Sequence, residues 1–137
     1  MHTESIATQI RKAGVKATKQ RVQVYGYLVK SRSPVSIQDI ANALQGSIDT
    51  VTAYRVIDSF KKAGLVREVD LRQGRPLFEV TESDHHHIVC TNCSRIEDFT
   101  GCHIDTIAEK ALGQSQKFAL INSHSLELFG LCKKCVV

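Results

Sequence analysis

Apolar side chains recur at helical spacing four times before residue 64. Ile6, Ile10 and Ala13 predict a first helix over about 4–13, with Glu4 complementing the dipole in its first turn and Gly14 as a stop. Thr18 is placed to cap a second helix carrying Val22, Tyr25, Leu28 and Val29, which must end before Pro34. Ser36 with Asp39 resembles a capping box and opens a third helix containing Ile37, Ile40, Ala41 and Leu44, closed by Gly46. The fourth runs from about Asp49 to Ala63. It places Ala53, Val56, Ile57 and Phe60 on one face and Val51, Tyr54, Arg55, Asp58 and Lys62 broadly on the other, with Gly64 well suited to the C′ position.

Beyond Gly64 the period shortens. L-V-R-E-V-D-L and P-L-F-E-V flank R-Q-G-R and predict a hairpin with arginines at and near its tip. Short helices followed by a basic hairpin form the pattern of a winged helix-turn-helix. I-V-C then reads as a strand entering a knuckle, with a short strand around Ile96 and a helix carrying Ile104, Ile107, Ala108, Ala111 and Leu112. Two β-like runs, F-A-L-I and H-S-L-E-L-F, lead to Gly130. The expected class is α+β, with an N-terminal winged helix over 1–80 and a C-terminal α/β domain over 81–137.

Length and charge sharpen this division. The 137 residues suffice for one ordinary domain or two small ones, and a 42% hydrophobic content is normal for a folded chain. The polar start and the absence of a long apolar run predict a cytoplasmic protein without a membrane partner. Residues 1–78 carry thirteen Lys and Arg against six Asp and Glu, a balance of +7; residues 79–137 carry five against eight, a balance of −3. The first half suits phosphates and the second suits cations. On the fourth helix, Arg55 suits a phosphate or a guanine and Tyr54 a thymine methyl. A solvated helix face, or a protein-binding module of the same pattern, is the alternative.

The candidate chemistry lies between residues 79 and 135. Four of the five cysteines form two C-x2-C pairs, Cys90 with Cys93 and Cys132 with Cys135, separated by 38 residues. In a reducing compartment these predict one tetrahedral, all-sulfur structural Zn²⁺ site that clips the end of the domain onto its first strand. Buried free thiols or a redox dithiol are the competing possibilities. Cys102 is unpaired and reads as a small core residue. Immediately before Cys90 stands the run His85, His86, His87. On a strand, His85 and His87 share one side and His86 takes the other. Glu79 and Asp98 are placed to join the first pair, and Asp105 and His124 to join His86. Two imidazoles with two carboxylates suit Fe²⁺, Mn²⁺ or Zn²⁺; a solvated histidine run is the alternative.

Together V-K-A-T-K-Q-R at 15–21, I-D-T-V-T-A-Y-R-V-I at 48–57, H-H-H-I-V-C-T-N-C and H-S-L-E-L-F-G-L-C-K-K-C resemble the ferric uptake regulator (Fur) family of metal-dependent repressors, over essentially the whole chain. The resemblance implies a homodimer with a winged-helix DNA-binding domain and an α/β dimerisation domain, binding A/T-rich pseudo-palindromic double-stranded DNA when metal is bound. It implies base and phosphate contacts by Tyr54 and Arg55, a minor-groove contact by Lys16 and a backbone contact by Arg21. Cys90, Cys93, Cys132 and Cys135 match the structural zinc site, and Glu79, His85, His87 and Asp98 the regulatory hinge site. His86, Asp105 and His124 match a second site used by some members.

The sequence also departs from the family pattern. The loop K-S-R-S-P lacks the further histidine of many iron sensors, and Asp98 is the residue that peroxide-sensing members tend to carry. No cysteine lies between Glu79 and His87, where zinc sensors often have one. Asp84 replaces a histidine common at the second site, and Ser94 stands where glycine usually follows C-x2-C, implying a local turn change. The expected function is an Fe²⁺- or Mn²⁺-responsive repressor, with a zinc-uptake or peroxide-responsive regulator as the alternative. A hydrolytic metalloenzyme is disfavoured by the lack of H-E-x-x-H or any marked general base.

Overall fold

The helices of the basic half begin where side-chain oxygens cap them. The computed structural model describes residues 5–31, 33–81 and 85–136, so the expectations resting on Glu4 and Asp84 lie outside the described residues. Ser5 caps α1 (Ile6–Lys12), Thr18 caps α2 (Lys19–Lys30) and Asp49 caps α4 (Thr50–Lys62). At α3 (Ile37–Ala43) the capping box is complete. Asp39 N–H donates to Ser36 Oγ at 3.0 Å and Ser36 N–H to Asp39 Oδ2 at 2.9 Å. Gly64 follows α4 at φ 79°, a left-handed turn that glycine enters without a Cβ penalty.

The chain divides into two compact units, residues 1–83 and 84–137. In the first, Ile10, Val24, Tyr25, Leu28, Ile40, Ile57 and Phe60 are buried in one apolar cluster. Phe60 is fully buried, and its ring meets Tyr25 edge-on with centroids 5.5 Å apart. β1 (Val66–Val69) and β2 (Leu77–Val80) pair antiparallel, with Arg67 opposite Glu79. Val35 adds a bridge to Phe78 through hydrogen bonds of 2.9 and 2.7 Å, which draws the α2–α3 connection onto the hairpin. One bridging residue has no period, so the sequence pattern does not reveal it.

In the second unit β3 (His86–Cys90) is the central strand, with β4 (Ile96–Phe99) antiparallel on one side and β5 (Glu127–Gly130) parallel on the other. α5 (Ile104–Gln114) connects β4 to β5, as a parallel partner requires a crossover. Residues 118–121, expected as a strand, have no strand structure, and Phe118, Leu120 and Ile121 are exposed. Among the described residues no helix is long and apolar enough to cross a membrane.

Candidate metal centres and nucleic-acid interface

The two C-x2-C pairs converge because β3 and β5 are hydrogen-bonded neighbours, with Cys90 in register with Gly130, two residues before Cys132. Ligand atoms of Cys90, Cys93, Cys132 and Cys135 all lie within 4.8 Å of one another, and Cys93 Sγ is 3.7 Å from Cys132 Sγ. Four Zn–S bonds of about 2.3 Å at tetrahedral angles put the sulfurs about 3.8 Å apart. The backbone N–H groups of Cys93 and Cys132 approach Cys90 Sγ at 3.5 and 3.4 Å. With Asn92 they pull the Cys90 thiol down to about 6. At Cys135 the Asn92 side chain also pulls downward, but Cys132, burial and the other two thiols outweigh it and push the group up to about 11. Four sulfurs this close do not share negative charge without a cation, so the donor set fits a structural Zn²⁺.

Ser94 has φ 67°, and its N–H donates to Cys90 O at 2.9 Å. Serine here adopts the left-handed conformation that glycine takes freely, at a cost of roughly 1–2 kcal/mol.

A second patch lies on β3 and β4. His87 is buried, stands opposite Asp98 in the strand register, and places Nε2 3.7 Å from Asp98 Oδ1. The His85 ring packs edge-on against that of His87, with centroids 5.1 Å apart. Glu79 belongs to the first unit, where it is buried on β2 and accepts from Arg67 Nη2 at 2.7 Å and Nε at 2.8 Å. Arg67 was not singled out from the sequence. Its signal was the hairpin register, which sets it directly across from Glu79.

His86 belongs to a third group. Its Nε2 lies 3.4 Å from His124 Nε2 and 3.0 Å from Cys102 Sγ, while Cys102 Sγ lies 3.8 Å from His124 Nε2. Cys102 is thus a half-buried neighbour of two imidazoles rather than a core residue. Asp105, expected to join His86 and His124, is exposed in the first turn of α5 and outside this group.

In the basic unit, α4 anchors Ala53, Val56, Ile57 and Phe60 in the core and turns Tyr54, 61% exposed, and Arg55 to solvent. Arg21 Nη1 donates to Lys16 O at 2.9 Å, tying the start of α2 to the segment that carries the exposed Lys16.

Residues 12–129 match the family model described as the Ferric uptake regulator family. The chain belongs to the ferric uptake regulator family. The ferric uptake regulation protein of Legionella pneumophila is 35% identical over 135 residues, covering 93% of this chain and 96% of the relative. The peroxide-responsive repressor PerR of Staphylococcus epidermidis is 33% identical over 135 residues, covering 96% of this chain and 88% of the relative. Among solved structures, the Helicobacter pylori ferric uptake regulator Fur, which has three functional metal binding sites, superimposes with a TM-score of 0.73 at 25% identity, covering 93% of this chain and 86% of that one. This chain is accordingly a metal-responsive transcription regulator of the Fur family, with a four-cysteine zinc-type cluster and further metal-binding groups.

Proposed function

We propose that this protein is a homodimeric repressor that binds A/T-rich, pseudo-palindromic operators when Glu79, His85, His87 and Asp98 hold Fe²⁺ or Mn²⁺. The observation that carries the reading is His87, which stands 3.7 Å from Asp98 Oδ1 across β3 and β4 and carries the His85 ring edge-on against its own: nitrogen and oxygen donors in a group separate from the four thiols. Such donors suit Fe²⁺ and Mn²⁺ better than thiolates do. In this reading residues 1–80 form a winged-helix DNA-binding domain and 81–137 the dimerisation domain, in a cytoplasmic protein. The exposed α5 face and residues 118–121 supply the apolar surface that a second copy covers.

The bound cation supplies positive charge and a fixed coordination geometry. Glu79 and Asp98 contribute the carboxylates that this charge neutralises, and His85 and His87 the imidazole nitrogens. Because ligands come from both units, loading restricts the linker between them and biases the dimer toward the arrangement in which both α4 helices reach successive major grooves. DNA and metal then raise each other's affinity by the same factor. Tyr54 and Arg55 read bases and phosphate, Lys16 enters the minor groove, and Arg21 contacts the backbone. His86 and His124 form a second exchangeable site, from which Asp105 stands apart.

Peroxide response is a second reading, favoured by Asp98 at the hinge and by the PerR relative. Anaerobic titration of metal-stripped, zinc-retaining protein with Fe²⁺, Mn²⁺ and Zn²⁺ against a palindromic duplex, followed by anisotropy, tests both. Restoration of binding at micromolar Fe²⁺ or Mn²⁺ supports the repressor; loss of the Fe²⁺ form alone on exposure to peroxide supports the second reading. Restoration only by Zn²⁺, at far lower free concentration, identifies a zinc-uptake regulator. Binding that ignores metal, or that is unchanged by Glu79→Ala and His87→Ala, overturns the hinge assignment.

A further inference from the structure

The geometry points to a zinc site with one thiolate and two imidazoles: we propose that Cys102, not Asp105, is the third ligand beside His86 and His124. The proposal rests on the functional reading above only for the existence of a second exchangeable site. Three separate segments bring the ligands together. His86 opens β3, His124 precedes β5, and Cys102 stands in the β4–α5 turn between Gly101 at φ 79° and His103 at φ 53°.

Distances favour coordination by all three. Zn–N bonds of about 2.0–2.1 Å and Zn–S bonds of about 2.3 Å at tetrahedral angles give N···N near ~3.3 Å and N···S near ~3.5 Å. The observed N···N distance is 3.4 Å, and the two N···S distances, 3.0 and 3.8 Å, straddle the expected value. These three atoms therefore outline one face of a zinc coordination tetrahedron. The Phe99 ring packs 5.4 Å from that of His86 and gives the buried side of the cluster an apolar wall, while the exposed His124 leaves a fourth position open to water.

The donor set determines the class of ion. Thiolate and imidazole together select Zn²⁺ over Fe²⁺ and Mn²⁺, whereas the hinge donors lack sulfur. Asp105 would have made the second site a hard one like the hinge. With Cys102 in its place, the chain carries two exchangeable sites of different preference and can register zinc separately from iron or manganese.

Co²⁺ as a spectroscopic stand-in for Zn²⁺ tests this on the full-length protein, with the four-cysteine site left filled by zinc and the exchangeable metal removed. Two equivalents of Co²⁺ per chain are expected, one of them with a thiolate-to-metal charge-transfer band that Zn²⁺ abolishes first. Cys102→Ser should lose the band and that equivalent. Cys102→Asp, which restores a ligand if serine disturbs the turn, should keep the equivalent and lose the band; Asp105→Ala should keep both. Absence of the band in the wild type, its survival in Cys102→Ser, or loss of the equivalent in Asp105→Ala overturns the proposal. Glu79→Ala should remove only the other, band-free equivalent. If it removes none while the band still depends on Cys102, the hinge reading fails and the zinc site stands.

Discussion

The two units solve the problem of burial differently. In the first, α1, α2, α3, α4, β1 and β2 all contribute to one apolar cluster, and Phe60, Ile10 and Ile40 are fully buried. In the second, α5 has no buried residue, and Ile107 at 57% and Phe118 at 74% stand exposed. A unit that buries its own apolar side chains owes its stability to packing. One that leaves them outside must draw on metal ligation and on a partner surface. In the proposed function that reliance falls on the half carrying the cysteine cluster, while the half that presents Tyr54 and Arg55 has a core of its own.

Removing the four-cysteine cluster should break the contrast most severely. Structural Zn²⁺ contributes roughly 10–16 kcal/mol in zinc-finger peptides, so Cys93→Ala should unfold the second unit while the first keeps its helices; circular dichroism and hydrogen exchange resolved by unit would show this. Acid should do the same reversibly. Cys90, held near 6 by backbone N–H groups, has a folded value below that of an unfolded thiol. Its stabilising contribution is thus present above the unfolded value and lost as pH falls through about 6. Because protons and Zn²⁺ compete for the same thiolates, zinc retention followed by a chromogenic chelator should fall as pH is lowered, and retention independent of pH would contradict the assignment.

Phe60→Ala probes the opposite half. Deleting this buried ring should cost about 3–5 kcal/mol, lowering the melting transition of the first unit with the zinc cluster intact. Phe118→Asp, on the surface assigned to the second copy, should weaken the dimer by about 2–3 kcal/mol, visible as a concentration-dependent mass by sedimentation, without unfolding either unit. Tyr54→Ala should cost about 1–3 kcal/mol in operator affinity and leave both melting and metal binding unchanged. The smallest effect is expected at Ser94. Glycine there relieves a left-handed serine but loses more freedom on folding, and should stabilise the second unit by a net ~1 kcal/mol, read as a small upward shift in melting temperature.

Much of the first unit was legible because its signals are local. Thr18, the Ser36–Asp39 pair, Asp49 and Gly64 mark helix ends within a few residues, and the face of α4 follows from a 3.6-residue period. The segment 118–121 is not a strand because F-A-L-I has a strand's apolar content but, among the described residues, no strand beside it. The metal groups divide in the same way. C-x2-C knuckles and the alternation of His85, His86 and His87 are local patterns, so the ligand types and the separation of His86 from its neighbours followed from sequence.

Choosing between Cys102 and Asp105 did not follow from it. The two lie three residues apart on either side of the start of α5, and only the turn at Gly101 and His103 decides which of them faces His86 and His124. The pairing of Arg67 with Glu79 likewise came from the hairpin register. The amino-acid sequence by itself determined the family, the helices of the basic half and the two C-x2-C knuckles, because each is written in neighbouring residues. Which ligands meet was decided by the tertiary structure, because contacts between segments as far apart as 86, 102 and 124 depend on strand order and turn geometry that no local pattern encodes.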